Sequence, residues 1–243
     1  MANPTAAMIV IGDEILSGRT QDTNTHYLAG QLTQAGVAME EARVVSDVHE
    51  RIVATVKELS GTYDYVFTSG GIGPTHDDIT ADAVGAAFGA HVDVRDDARG
   101  LLAAHYAKNG MELNAARLRM ARIPEGATLI DNPVSIAPGF KIENVHVMAG
   151  VPAVFKAMVA TVLPTLTGGA PLLSRTLRVV RGEGDIAGPL AELAENHPEV
   201  SFGSYPFHKD GIYGSNIVIR GTDDTVLEKM IVALADALGV ASE

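Results

Sequence analysis

One segment constrains this chain more than any other: Thr68-Ser69-Gly70-Gly71-Ile72-Gly73-Pro74-Thr75-His76-Asp77-Asp78-Ile79-Thr80. A strand-like run, Tyr63 to Thr68, precedes it, and a helical pattern, Thr80 to Phe88, follows. A strand that breaks into glycines and then a helix belongs at the carboxyl edge of an open parallel sheet, where ligands bind. Glycines there permit positive φ and a close approach of the main chain to a ligand. The helix start adds unpaired N–H groups and a partial positive charge. A plain tight turn with Asp78 as helix cap needs fewer glycines. The loop is neither GxxxxGK[ST] nor GxGxxG, so it predicts a phosphate-binding turn without naming the ligand.

The surrounding pattern agrees with such a sheet. Ala6 to Ile11 is an unbroken apolar run, as in a buried parallel strand. A helix is expected from Asn24 to Ala35, with Thr23 at its start and Gly36 at its end, then a strand from Val37 to Val45. A helix from Val48 to Leu59 follows, capped by Asp47. Further helices are expected over Asp96–Asn109, Asn114–Met120 and Pro152–Leu163, and strands over Thr128–Asp131 and Val145–Met148. Thr167 to Pro171 is rich in Gly and Pro and marks a domain boundary. Beyond it the order is strand (Arg175–Arg181), helix (Ile186–Asn196), strands (Val200–Pro206, Asn216–Arg220) and helix (Thr225–Leu238), with a hairpin tip at His208-Lys209-Asp210-Gly211. The expectation is an α/β domain over 1–168, with a mainly parallel sheet between helices, and a small α+β domain over 169–243.

Composition limits the ligand. The formal charge of −12 argues against nucleic acid, which needs a basic face. There is no cysteine, which removes disulfides and thiolate metal sites. Met1 to Thr5 has no basic stretch leading into an apolar run, and Ala6 to Ile11 is too short to span a bilayer. A cytoplasmic protein that engages no membrane is expected.

A second loop, Gly12-Asp13-Glu14-Ile15-Leu16-Ser17-Gly18, leaves the first strand at the same sheet edge. Together the loops gather Asp13, Glu14, Asp77 and Asp78. Like charges about 4 Å apart repel by roughly 4 kcal/mol at an effective dielectric of 20. A phosphate ligand adds to this, so either some carboxylates point away or a divalent cation sits among Asp78, Asp77 and Glu14. An oxygen-only set suits Mg²⁺.

These residues resemble the molybdopterin-binding (MoaB/Mog-type) domain family, in the branch at the N-terminus of the competence/damage-inducible CinA proteins. The resemblance rests on Gly12 to Gly18, Asp22, Asn24, Gly70 to Thr75 with Asp77, Asp78 and Thr80, and Asn132-Pro133. It extends to Ala137-Pro138-Gly139-Phe140, Gly150-Val151-Pro152 and, further on, Gly203-Ser204-Tyr205-Pro206. It implies a three-layer α/β/α sandwich plus a second, smaller domain. Mog-type members transfer adenylate to molybdopterin with Mg²⁺. CinA-type members are associated with cleavage of nucleotide diphosphates such as ADP-ribose, and a related domain of eukaryotic FAD synthases with FAD hydrolysis. Mog-type loops carry Arg-Asp where this chain has Asp77-Asp78, which favours the CinA branch.

The expected function is metal-dependent hydrolysis of a nucleotide diphosphate, of the ADP-ribose or FAD pyrophosphatase type. The alternatives are adenylyl transfer in molybdenum cofactor biosynthesis, and a non-catalytic ligand-binding or scaffold module. Asp78, Glu14 and Asp77 are the candidate catalytic residues. Gly12, Asp13, Ser69, Gly70, Gly71, Gly73, Pro74, Thr75 and Thr80 are expected to face the ligand, with Asn132, Pro138, Gly139 and Gly150 as a pocket wall. His76 is the group in the loop suited to general acid work near neutral pH. The partner is a small nucleotide or pterin phosphate, and a homo-oligomer is expected.

Overall fold

The computed structural model describes residues 3–240. The chain divides into two compact units between Gly169 and Ala170. The first unit begins with β1 (Thr5–Ile11), a one-turn α1 (Asp13–Leu16), α2 (Asn24–Gln34), β2 (Ala38–Val45), α3 (His49–Thr62), β3 (Tyr65–Ser69) and α4 (Thr80–Phe88). Then come β4 (Val92–Val94), α5 (Asp96–Lys108), α6 (Ala115–Leu118), β5 (Arg122–Pro124), β6 (Thr128–Ile130), β7 (Gly139–Ile142), β8 (Val145–Met148) and α7 (Pro152–Val162).

Six of these strands form one sheet in the order β2-β1-β3-β8-β7-β6. β1 pairs in parallel with β2 and β3, and β3 with β8. β7 and β6 run antiparallel at the far edge. The apolar runs are continuous because both faces are buried. Ala7, Ile9 and Val66 meet Ile52, Val56 and Leu59 of α3 and Val84 of α4 on one face. Met8, Val10 and Phe67 meet Leu28 of α2 and Phe155 and Met158 of α7 on the other. The result is the three-layer sandwich that the alternation predicts. Each large side chain taken fully out of water contributes about 1.5–3 kcal/mol.

The differences from expectation have local causes. α2 is not capped by Thr23; the Asp22 carboxylate accepts from the N–H groups of Asn24 (2.9 Å) and Thr25 (3.2 Å) instead. Asp47 does not cap α3, because its carboxylate accepts from the Asp13 N–H at 2.8 Å. Asn114 to Met120 is a short helix, capped by Asn114, that tightens into a 3-10 turn over Arg119–Ala121. Pro138-Gly139 reads as a turn, yet Gly139 opens β7, where a Cβ would collide with the Val147 carbonyl of the neighbouring strand.

The second unit consists of β9 (Leu173–Val179), α8 (Glu183–Asn196), β10 (Ser201–Lys209), β11 (Ile212–Gly221) and α9 (Asp224–Leu238). Its antiparallel sheet has the order β10-β11-β9. Leu177, Ile217 and Ile219 pack with Ile186 of α8 and Leu227 and Leu234 of α9 into a separate core. The hairpin tip is where the sequence puts it, with Asp210 and Gly211 both at positive φ. Among the described residues no helix is long and apolar enough to cross a membrane.

Candidate functional site

The carboxyl ends of β1, β3 and β8 open onto a cleft of about 560 Å³. That volume falls within the range of small-molecule sites. Its floor is the chain from Gly70 to Gly73. Gly70 and Gly71 hold φ of 110° and 69°. A Cβ on Gly70 would strike the Ile11 carbonyl, and one on Gly71 the Thr80 hydroxyl. Both positions therefore exclude a side chain for conformational and steric reasons.

Few of the loop's polar groups remain open to a ligand. The Gly70 N–H donates to the Met148 carbonyl at 3.2 Å, and the Asp78 N–H to the Thr75 carbonyl at 3.3 Å. The Thr75 N–H and hydroxyl both donate to Asp78 Oδ2, at 2.7 and 2.6 Å. Among the described residues, the N–H groups of Gly71, Ile72 and Gly73 donate to no protein acceptor. Successive free amides in a glycine turn form an anion-binding concavity.

Several residues expected to face the ligand make internal hydrogen bonds in the structure. Thr80 is fully buried; its hydroxyl donates to the Gly70 carbonyl at 3.0 Å and its N–H to the Gly71 carbonyl at 3.0 Å. It fastens α4 to the loop and has no donor left for a phosphate. Ser69 is buried and accepts from Asn24 Nδ2 at 2.8 Å, while the same amide donates to the Gly150 carbonyl at 2.8 Å. Asn24 thus ties the ends of β3 and β8 to α2, the structural role its position suggests. Thr75 and Pro74 lie outside the cleft lining, because Asp78 folds the loop's outer half back on itself. Asp78 closes a turn within the loop and does not cap α4, whose N-cap is Ile79. The first turn of α4 faces an adjoining cavity of about 20 Å³, which shares Gly71, Ile72, Gly73 and Asp78 with the cleft and is also lined by Arg119, Arg122 and Pro138. Gly139 is packed within the sheet, as its place in β7 requires.

Gly12, Glu14, Asn132 and Gly150 do line the cleft. Asn132 is almost fully buried and forms a wall. It donates to Ser135 Oγ and the Ala137 carbonyl, both at 2.7 Å, and accepts from the N–H groups of Val134 and Ser135. Asp13 turns its N–H to Asp47 and its side chain does not line the cleft. His76 is fully open to solvent beside Asp77 and also lies outside the cleft.

The cleft's charge is one-sided. Glu14, Asp47, Asp77 and Asp78 line it, and no Lys, Arg or His does. Burial pushes the Asp47 carboxyl above its ordinary range. The Asp13 N–H draws it back, and the charges of Asp13, Glu14 and Asp77 push it up again. Asp47 escaped the sequence reading because it looks like a cap. Arg119 escaped it too: its Nε donates to the Thr75 carbonyl at 3.1 Å and its Nη2 to the Asp78 carbonyl at 3.2 Å. No periodicity marks such a clamp. Among the described residues no group of three His, Cys, Asp or Glu side chains is poised to hold a metal ion alone. Such an ion would complete its shell with water and ligand phosphate, as Mg²⁺ commonly does.

Fold and site define an open α/β protein whose glycine turn, with free amides, faces a carboxylate cluster at the carboxyl edge of the sheet. The chain belongs to the family described as "Probable molybdopterin binding domain", matched over residues 7–168. Residues 171–242 match a second family, "FAD synthase, middle domain". A CinA-like protein of Myxococcus xanthus is 35% identical, over 81% of this chain and 50% of that protein. A probable FAD synthase of Caenorhabditis elegans is 32% identical, over 96% of this chain and 50% of that protein. The chain thus spans half the length of these two relatives. The crystal structure of the protein CinA from Thermoplasma acidophilum, a protein of unknown function, superposes with a TM-score of 0.62 at 32% identity. That match covers 67% of this chain and 97% of that one. The fold is therefore that of the CinA-type molybdopterin-binding domain.

Proposed function

We propose that the cleft binds a nucleotide diphosphate, of the ADP-ribose or FAD type, and hydrolyses its phosphoanhydride with the aid of a divalent cation. The observation that carries this reading is the pairing of free amides at Gly71, Ile72 and Gly73 with the carboxylates of Glu14, Asp47, Asp77 and Asp78 in one cleft, the basic Arg119 and Arg122 standing in the adjoining cavity. The amides favour an anion; the carboxylates oppose one unless a cation accompanies it. The kinship with CinA-like and FAD synthase proteins supports a nucleotide as the ligand.

The donor set fits such an ion, since it contains oxygen only. Asp77 and Asp78 would hold it together with water and ligand phosphate, and when bound it would neutralise the phosphates and lower the pKa of water. The chain's own groups do the rest. The Gly71–Gly73 amides grip a non-bridging phosphate oxygen. Asp78 is fixed through Oδ2 by Thr75, which leaves Oδ1 directed by the loop. Glu14, which also lines the cleft, would accept the proton of the attacking water. The Asn132 turn and Val151-Pro152 supply further wall of the cleft.

The test is hydrolysis of ADP-ribose and FAD with and without Mg²⁺, for the native chain and for Asp78→Asn and Glu14→Gln. Each variant should lose at least about a hundredfold in kcat, within the range for general acid–base groups. Full activity in both would remove this mechanism. Ligand binding without turnover under any divalent ion would make the cleft a binding module. A second reading, adenylyl transfer to molybdopterin, is favoured by the family description over residues 7–168. Formation of adenylated pterin from Mg-ATP and molybdopterin would select it.

A further inference from the structure

The chain carries a net charge of −12, yet β9, β10 and β11 contain no Asp or Glu. Side chains alternate across these strands. Leu177, Val179, Ile217 and Ile219 face α8 and α9, so Arg178, Val218 and Arg220 face the other way. Through the β10–β11 register, Tyr205 and Phe207 share that outer face. Their rings lie over glycines. A Cβ on Gly203 would come 3.0 Å from the Tyr205 ring, and one on Gly214 2.5 Å from the Phe207 ring.

Arginines cover these rings. The Arg178 guanidinium lies 3.9 Å from the Phe207 ring centre. That of Arg220 lies 5.6 Å from the Tyr205 ring centre and donates to the Tyr205 hydroxyl at 2.7 Å. Arg175, on the helix side of the same sheet, is paired with Asp224 and Glu228. Among the described residues, Arg178 and Arg220 have no carboxylate partner. Stacked, unneutralised guanidinium groups on a flat surface suit a ligand with both a planar ring and a phosphate.

We propose that this outer sheet face is a second ligand site, and that its occupant is a free nucleotide. The base stacks on the Arg178–Phe207 layer and the phosphate pairs with Arg220. A nucleic-acid strand fits less well, because a polyanion meets the net charge of the whole chain. An acidic peptide would pair with the arginines but supply no base to stack.

The experiment is NMR titration of the isotope-labelled full chain with ADP in the absence of divalent ions. Resonances of Arg178, Phe207 and Arg220 should shift with saturation. Arg178→Ala and Phe207→Ala should each weaken that binding about tenfold, the scale of one stacking contact. Arg178→Lys keeps the charge but not the planar group, and should weaken binding similarly. Asp78→Ala in the first unit should leave the shifts intact, which separates this site from the cleft. Shifts confined to residues around Gly71, unchanged affinity in the Arg178 and Phe207 variants, or tighter binding of oligothymidylate or a polyglutamate peptide would each overturn the proposal.

Discussion

The two units expose hydrogen-bond donors on a sheet in opposite ways. In the first, both sheet faces are sealed by helices, so only the strand ends are open, and the free donors there are main-chain amides. Acidic side chains dominate that opening. In the second, helices cover one face and the other stays open, with arginines as its donors. Amides held by glycine geometry cannot be exchanged by mutation without breaking the turn, whereas stacked arginines can. The first arrangement suits a ligand that must be held in one orientation beside carboxylates. The second suits recognition without chemistry.

The strongest way to break this contrast is Gly71→Val. The new side chain would meet Thr80 while φ stays positive, which a β-branched residue tolerates poorly. A loss of about 4 kcal/mol in the first unit is expected, counting backbone strain and displacement of the buried Thr80 bond. Calorimetry should show the first unit's melting transition fall while that of the second, with its own core, stays in place. A single shared transition, or an unchanged one, would remove the rigid-turn argument.

Acid provides the next largest difference. His146, on β8, is buried and stacked on Phe67 at 5.0 Å, and neither ring nitrogen has a hydrogen-bond partner. Burial, with help from Lys141, lowers its pKa from 6.5 to about 4. In the unfolded chain His146 accepts a proton below pH 6.5; in the fold it resists down to about 4. Stability of the first unit therefore falls as pH drops through that interval, by about 3 kcal/mol once below it. His146→Phe should remove this slope relative to the native chain in urea melts at pH 7, 5.5 and 4. Parallel curves for the two proteins would show that His146 does not titrate as described.

What the sequence revealed and what it hid follow from range. β1, α4, β8 and α9 are legible because their apolar spacing is local. β4 and β5 have three residues each and no room for an alternating pattern. β7 was hidden because Pro138-Gly139 imitates a turn, and only the distant Val147 carbonyl explains the glycine. At the site, the glycine loop is legible as a loop. Which of its amides are free is not, because Asp78 takes the Thr75 N–H and Gly70 donates to Met148. Asp47 illustrates the same limit: a residue placed like a helix cap was drawn away by the Asp13 N–H.

The smallest and most discriminating effect concerns Arg119. It reaches the loop from the turn after α6 and holds the Thr75 and Asp78 carbonyls. These carbonyls flank the segment that Asp78 folds back, so the clamp fixes the loop's outer half while the free amides sit in its inner half. Arg119→Ala frees the outer half without touching the buried Thr80 attachment. Stability should change by less than about 1 kcal/mol, since the lost bonds lie at a partly exposed site. Affinity for a nucleotide diphosphate should drop about tenfold, because the loop must then be ordered on binding. Arg119→Lys offers no fork to span two carbonyls and should restore little of it. Equal affinity in all three proteins would mean that the inner amides are rigid by themselves. The contrast between a fixed cleft and an adaptable sheet face would then rest on Gly70 and Gly71 without the clamp.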